Sequence, residues 1–406
     1  MNILFLTSRF PYPPNRGDRV RTFNFLKRLS LDHDIQLLSF IQSEEELRGL
    51  PALEPYCRVE TVHLPRSRSY WNMLSRAGSA LPFQTLYYES REMEHLIHTH
   101  TSNRRFDVVY IHLFRMAPFA LALPGVPRIL DLTDCISGEL AASIPHRSWF
   151  LRRPLRMEAD RIRRYETRVA SGFDEVWTIS EADRSEILRM APGAPVHVVP
   201  NGVDESLYSA DPSREGMRLG FLGNLSVPHN IDAARFLALE IMPRIRGAFA
   251  DSQLELVGHG PTRMVRQLHG RNGTVVTGPV ENLREWFESL AVFVSPLRFA
   301  AGVQNKILEA MAAGVPVVTT SHGNRGLAAG PEKEILVRDR PDDFAEAVIS
   351  LLHDPAQAAR LGQCGRSFVR DNFSWDAVAE RVANLACPSI QRETVTSQDL
   401  VRNGDW

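Results

Sequence analysis

Residues 293–320 read FVSPLRFAAGVQNKILEAMAAGVPVVTT, and three signals follow one another in this stretch. An apolar run ends at Ser295-Pro296, a small-residue turn follows at Ala300-Ala301-Gly302, and an amphipathic segment breaks at Gly314 before Val315-Pro316-Val317-Val318. The order is strand, helix, strand. Val303, Ile307 and Met311 recur every four residues and would share the buried face of the helix, whereas Lys306 and Glu309, three apart, share another. The first N–H groups of a helix have no intrahelical partner, and the helix dipole favours an anion beside them. The pattern suits a phosphate beside Lys306 and a ribose beside Glu309. An ordinary Lys–Glu pair on a solvated helix surface, worth a few tenths of a kcal/mol, accounts for the same two residues.

Outward from this stretch, a chain of 406 residues is too long for one ordinary core, so two domains of about 200 residues are expected. A hydrophobic fraction of 44% with 23% charged residues describes a globular chain, not a disordered one. The net charge of -1 excludes a globally basic nucleic-acid binder, and no nucleic-acid partner is expected. Lysine occurs only at Lys27, Lys306 and Lys333, arginine carrying almost all the positive charge. Cys57, Cys135, Cys364 and Cys387 are widely separated and no His cluster has ligand spacing, so neither a zinc site nor a disulfide framework is implied. The first residues, MNILFLTSRF, read as a strand and not as a signal peptide, and no run reaches the roughly 18 apolar residues of a membrane span. A cytoplasmic protein is expected.

Strand patterns at residues 2–7, 35–40, 59–64, 107–112, 128–132, 175–180 and 196–199 alternate with helical ones, beginning with a helix over 20–29. A second series follows at 218–222, 254–257, 274–277, 292–295, 315–319 and 335–337. Such alternation predicts an α/β protein of two Rossmann-like, doubly wound parallel-sheet domains facing a cleft, with ligands at the carboxyl ends of the strands. The turn Pro200-Asn201-Gly202-Val203-Asp204 sets the boundary. The expected domains are residues 1–204 and 205–374, with a last helix over 375–387 packing back on the first domain and a disordered tail over 388–406. The single D-x-D, Asp32-His33-Asp34, falls where a helix feeds a strand, the wrong edge for a ligand.

Several motifs, in order, resemble those of the GT-B glycosyltransferases, specifically glycosyltransferase family 4. Val199-Pro200-Asn201-Gly202-Val203-Asp204 is similar to the family's interdomain PNGVD turn, Leu222-Gly223-Asn224-Leu225 to its first C-domain strand and loop, and Leu256-Val257-Gly258-His259-Gly260-Pro261 to its LVGxGP segment. Thr277-Gly278-Pro279-Val280 with Leu283 resembles the loop that lies against the base, and residues 293–320 resemble the PxxxEGFGxxxLEAMAxGxPVV signature. The resemblance implies a GT-B fold and transfer of a sugar from a nucleoside diphosphate sugar to a glycan or lipid-linked acceptor, with retention and without a metal. It places Glu309 on the ribose, Lys306 and Arg298 on the diphosphate, and His112, at the end of a strand, against the donor sugar. Gly17, Gly223, Asn224, Gly258, Val280, Gly302, Val303, Gln304 and Asn305 would line the donor.

Asn224 and His229 stand where the family commonly has an Arg and a Lys, and Ala301 where it usually has a Glu. Pro228-His229-Asn230, Gly302-Val303-Gln304-Asn305-Lys306 and the segment Pro11-Tyr12-Pro13-Pro14-Asn15-Arg16-Gly17-Asp18 resemble a branch associated with exopolysaccharide and PEP-CTERM/EpsH-type systems. Asp131 and Asp134 flank a strand end, where helix capping is the expected role and contact of one of them with the acceptor is the alternative. Residues 147–168, from Arg147 to Arg168, gather arginines beside Trp149 and Phe150. They suit either an anionic membrane surface, at the inner face of the cytoplasmic membrane, or a solvated helix with Glu158, Asp160 and Glu166 interleaved. A GT-B nucleotide-sugar epimerase and a non-catalytic nucleotide-sugar-binding partner of a polysaccharide complex are the alternative functions. A nicotinamide oxidoreductase is disfavoured, because Arg263 occupies the third glycine position after Gly258-His259-Gly260.

Overall fold

The computed structural model describes residues 1–382 apart from 15, 122, 124, 147–148, 213–215 and 300–301. Asn15, Arg147, Ala300, Ala301, Cys387 and the tail 388–406 lie outside the described residues. The chain separates into two compact units, Met1–Val199 together with the chain from Ala379, and Pro200–Val378.

The first unit is built on β1 (Asn2–Thr7), β2 (Asp34–Ile41), β3 (Arg58–His63), β4 (Val108–His112), β5 (Arg128–Thr133), β6 (Glu175–Thr178) and β7 (Val196–Val198). These pair in the order β3-β2-β1-β4-β5-β6-β7, every ladder parallel. In β1, β2 and β4 almost every residue is buried, as uninterrupted apolar runs require when helices cover both faces of a sheet. Leu4, Leu38, Val109 and Leu130 join one core across four strands.

The second unit carries β8 (Arg218–Leu222), β9 (Gln253–Val257), β10 (Thr274–Gly278), β11 (Val292–Ser295), β12 (Val317–Thr319) and β13 (Leu336–Val337) in the order β10-β9-β8-β11-β12-β13, again all parallel. Two Rossmann-like parallel-sheet units of this kind make up the GT-B fold class. Within the second unit the Val203 N–H donates to the Phe373 carbonyl at 2.8 Å, and a Cβ on Gly202 would lie 2.3 Å from the Trp375 ring, which is why that turn carries glycine. Ser374 then accepts from the Ala377 N–H at 3.1 Å and starts the last helix, and in the first unit Arg381 donates to the Val198 carbonyl at 3.2 Å.

Four expectations are corrected. The first helix runs over Gly17–Leu29 and not from residue 20; its first turn is polar and so lacks apolar periodicity, but Asp18 suits the helix dipole and is held by Arg9 at 2.6 Å. The strand expected from Val315 begins at Val317, because Pro316 has no N–H to give a ladder, although its carbonyl still accepts from Phe293 at 2.9 Å. Asp131 lies inside β5 and caps no helix, and neither does Asp134: the helix Ile136–Ser143 has no side-chain cap at Cys135, and its Ile136 N–H donates at 2.9 Å to Glu166 from another helix. Finally, the arginine-rich helix Trp149–Ala170 does not have its carboxylates interleaved on the solvated side. Glu166 is fully buried and Glu158 accepts from the Phe83 N–H at 2.7 Å, leaving Asp160 alone among exposed Arg152, Arg153, Arg156, Arg163, Arg164 and Arg168.

Candidate functional site

In the second sheet β8 neighbours β9 on one side and β11 on the other, so the strand order, built outward from β8 to β10, switches to the opposite side at β11. At such a switch point the loops leaving the two strands part and open a crevice at their carboxyl ends. The loop after β8 carries Gly223 and Asn224, and the loop after β11 leads through Gly302, Val303 and Gln304 into the helix Asn305–Ala312. Ile307 and Met311 are buried against the sheet side of that helix; Val303, expected on the same helical face, is buried but precedes the helix.

That packing leaves Lys306 and Glu309 half-buried on the crevice side. Lys306 donates to the Asn230 side-chain oxygen, and its ammonium stands 4.8 Å above the Phe221 ring centroid. Neither partner carries charge. The surface Lys–Glu pair does not form: no salt bridge links Lys306 to Glu309, and the Glu309 carboxylate has no hydrogen-bond partner among the described residues. Burial pulls the Lys306 ammonium down to about 7, against a smaller upward pull from Glu309. Burial likewise pushes the Glu309 carboxyl up to about 7, with Lys306 opposing and Asp204 adding to the rise. A cation and a carboxylate are thus held poised near neutrality at the crevice.

Neighbouring residues explain the glycines. Asn230 is 4% exposed, and its amide donates to the Asn224 carbonyl at 3.0 Å, so the same side chain ties the loop after β8 and orients Lys306. A Cβ on Gly223 would lie 2.8 Å from that amide. At Gly258, φ is 141° and a Cβ would sit 1.7 Å from the Gly223 carbonyl oxygen, so the loops after β8 and β9 meet backbone to backbone. Asn224 closes its own turn, accepting from the Ser226 N–H at 3.0 Å. Asn305 is exposed, Gln304 is 7% exposed and Gly302 has a φ of 68°. Val280 follows β10, the outer strand, two strands from the switch point.

Arg298 stands differently from Lys306. Asp232 accepts from its Nε at 2.8 Å and from a second guanidinium nitrogen, while Phe236 lies beneath it at 4.7 Å. Its charge is already matched. His229 adds none, since burial and then the charge of Lys306 bring its imidazole down to about 4. Asn230, Asp232 and Phe221 were not singled out as site residues from the sequence; a polar Asn and Asp six and eight residues past the strand-end Asn224 were the available signal.

The other two sequence-selected residues belong to the first unit. His112 ends β4 with 2% exposure, its Nδ1 lying 3.8 Å from the Asp131 carboxylate, and burial lowers its pKa against an opposing pull from Asp131. Gly17 opens the first helix, with nothing within 4 Å of where a Cβ would be. Beneath them Asp131 accepts from Arg21 Nε at 2.6 Å and from the Tyr110 hydroxyl, both wholly buried. Burial works to raise the Asp131 carboxyl, but Arg21 and His112 hold it well below the usual carboxylate range. Among the described residues no three His, Cys, Asp or Glu side chains converge at metal-ligating range, and no helix is long and apolar enough to cross a membrane.

Comparison with known proteins agrees with both units. Residues 24–202 match the family model described as glycosyl transferase 4-like domain, and residues 216–354 the one described as glycosyl transferases group 1. The MMP alpha-(1->4)-mannosyltransferase of Mycolicibacterium hassiacum is 26% identical over 388 residues, covering 89% of this chain and 92% of that one. The GDP-mannose-dependent alpha-(1-6)-phosphatidylinositol monomannoside mannosyltransferase of Mycobacterium tuberculosis is 31% identical over 245 residues, 54% of this chain and 63% of that protein. The crystal structure of Anabaena HepE in complex with UDP superposes with a TM-score of 0.69 at 14% identity, covering 96% of this chain and 100% of that one. The chain therefore carries, in order, a glycosyl transferase 4-like domain and a group 1 glycosyl transferase domain, the two halves of a glycosyltransferase of the GT-B fold.

Proposed function

We propose that the protein is a retaining, metal-independent glycosyltransferase of polysaccharide synthesis, with the donor nucleoside diphosphate sugar held by the second unit and a glycan or lipid-linked acceptor held by the first. The observation that carries this reading is Lys306: a half-buried ammonium at the switch point whose contacts are an amide and an aromatic ring, beside a carboxylate with no hydrogen-bond partner among the described residues. When the anomeric C–O bond breaks, the bonding pair leaves with the diphosphate, and the acceptor oxygen forms the new bond and gives up its proton to the departing diphosphate. Negative charge grows on the diphosphate, where a prepositioned cation stabilises it most. Glu309, three residues along the helix, takes the ribose hydroxyls, and the first-turn N–H groups, which no side chain caps, add donors for phosphate oxygens. Arg298 joins only by exchanging Asp232 for phosphate. Relatives named for GDP-mannose and for phosphatidylinositol monomannoside, and the UDP complex of a structural neighbour, support a nucleotide donor and a lipid-linked acceptor.

Titration calorimetry with UDP, GDP and ADP, in the presence of EDTA, tests the reading. One of the three is expected to bind, and Glu309→Ala to weaken it at least tenfold, roughly the loss of a hydrogen bond to a charged group. No binding by any of them would sink the donor site, and binding that required magnesium would sink metal independence.

Proton linkage supplies a signature with a change of sign. Phosphate favours charged Lys306, so above pH 7 binding takes up about one proton; hydroxyls favour charged Glu309, so below pH 7 binding releases one. Calorimetric enthalpies compared in buffers of different ionisation heat at pH 8 and pH 6 read this directly. The same proton balance at both pH values would contradict the placement of phosphate and ribose.

The arginine-rich helix Trp149–Ala170 is the membrane-facing element in this reading, at the inner face of the cytoplasmic membrane. Trp149 is 82% and Phe150 60% exposed, beside outward arginines whose sequence-near carboxylates Glu158 and Glu166 are turned inward. Aromatic and cationic side chains on one segment favour an anionic lipid interface. Co-sedimentation with phosphatidylglycerol vesicles is expected and should be lost at high salt; equal recovery with neutral phosphatidylcholine would refute it.

A further inference from the structure

The first unit holds a cavity of about 770 Å³ at the carboxyl ends of β1 to β4, lined by residues of the loops and helices that follow those strands. Five arginines line it, Arg9, Arg16, Arg19, Arg66 and Arg115, against one carboxylate, Glu46. Two of the five are neutralised: Arg9 pairs with Asp18 at 2.6 Å and Arg19 with Glu46 at 2.6 Å. The other three are not. Arg66 donates to the neutral Gln42 oxygen at 3.1 Å, and Arg16 has no side-chain partner among the described residues. Arg115 donates to Ser8 at 2.9 Å and to Gln84 at 3.0 Å; its nearest carboxylate is Asp18 at 4.0 Å, already claimed by Arg9.

Arg115 carries the most weight, since its side chain is only 11% exposed. Withdrawing a guanidinium from water is costly unless an anion meets it. Its hydrogen-bond partners are neutral, and Asp18 at 4.0 Å, shared with Arg9, compensates the charge only in part, with its face on Tyr88 at 5.2 Å. The aromatic contacts continue from Tyr88 to Tyr87 at 5.0 Å and on to Tyr70, which is 55% exposed and stands edge-on to Tyr87 with ring centroids 5.7 Å apart; the exposed Tyr70 ring is a surface of the kind that packs against the apolar face of a sugar ring. Trp71 and Leu74, 70% and 74% exposed, continue from Tyr70 along the helix Arg66–Ser75.

We propose that this cavity is the acceptor subsite for a phosphorylated sugar, in which Arg16, Arg66 and Arg115 bind a phosphate or diphosphate and Tyr70 and Tyr87 flank the sugar. Three unneutralised guanidinium groups suit a dianion better than a single carboxylate, and the planar fork of arginine matches phosphate oxygens two at a time. The inference deepens the glycosyltransferase reading and rests on it for the word acceptor, but the anion site itself stands independently.

The test is calorimetry on the full chain, with whichever of UDP, GDP or ADP binds kept saturating so that the donor site is filled. Hexose 1-phosphate is expected to bind at least tenfold more tightly than hexuronate, and the neutral hexose far more weakly. The double variant Arg16→Gln/Arg66→Gln, both positions exposed so that the fold is retained, should weaken hexose 1-phosphate at least tenfold; Arg115→Gln should do the same, with its melting temperature checked alongside. Neutral and phosphorylated hexose binding alike, hexuronate matching hexose 1-phosphate, or unchanged affinity in the double variant would overturn the proposal. A polyprenyl diphosphate hexose in detergent micelles binding more tightly than hexose 1-phosphate identifies a lipid carrier, and equal affinity a soluble phosphosugar; either supports the dianion site. Arginine-dependent binding of hexose 1-phosphate without any nucleotide binding would keep the cavity and remove the donor reading, whereas the reverse would keep the donor reading and remove the cavity.

Discussion

Lys306→Ala is expected to lower turnover roughly 150-fold, about 3 kcal/mol, while changing the affinity for the nucleoside diphosphate far less. The reason is differential. In the bound ground state the diphosphate charge is shared with backbone donors and solvent, but as the glycosidic bond breaks the additional charge appears on the leaving oxygen, and only a cation already in place meets it without reorganisation. Arg298 does not take over, because leaving Asp232 costs a bidentate pair at 2.8 Å and a ring contact at 4.7 Å. His229 does not either, being neutral above about pH 4. Lys306→Arg should rescue only part of the loss: its planar fork does not reproduce a point charge 4.8 Å above Phe221 and bonded to Asn230. Single-turnover rates with saturating donor, beside calorimetric affinities, separate the two effects. Turnover within twofold of the unaltered protein would remove Lys306 from the phosphate.

Asp131→Asn is expected to destabilise the first unit by about 3–5 kcal/mol, the usual consequence of leaving one member of a buried ion pair uncompensated. Arg21 and Asp131 are 1% and 0% exposed, and the carboxylate also accepts from the Thr133 N–H at 3.1 Å and from Tyr110. For a unit of this size that corresponds to a melting temperature lower by on the order of 10 °C. The apolar double variant Arg21→Met/Asp131→Leu should recover much of the loss, because it removes both desolvated charges together. The sign with pH follows from the lowered pKa of Asp131: its stabilisation is fully present above the unfolded value of about 3.9 and is lost as pH falls below it. Differential scanning calorimetry of the three proteins checks this, and a single variant as stable as the double one would show that Arg21 does not depend on the carboxylate.

Much of the fold was legible because a strand covered on both faces must be an unbroken apolar run, and such runs stand out between turns. β1, β8 and β11 occupy the residues that their apolar stretches mark out. Alternation with helices then leaves a parallel doubly wound sheet as the arrangement that buries both faces, and the carboxyl edge as the ligand edge. Where local chemistry competed, boundaries moved: Pro316 shortened β12, and a polar first turn hid the start of the helix Gly17–Leu29.

The sequence by itself determined the two alternating series, the crevice at the turn into the helix Asn305–Ala312, and the placing of Lys306 and Glu309 on one side of it, because each follows from spacing within a few residues. Which charges are free was decided by the tertiary structure alone. Arg298 meets Asp232 across 66 residues, Lys306 meets Asn230 across 76 and Arg21 meets Asp131 across 110. Glu158 and Glu166, interleaved with arginines in the sequence, turn inward to backbone N–H groups. Periodicity reports which face of an element is buried, whereas the partner waiting there depends on strand order, which brings β1 beside β4 and β8 beside β11 over long stretches of chain. The same ordering gathers the loops after β1 to β4 around one cavity, turning arginines scattered from Arg9 to Arg115 into a single site.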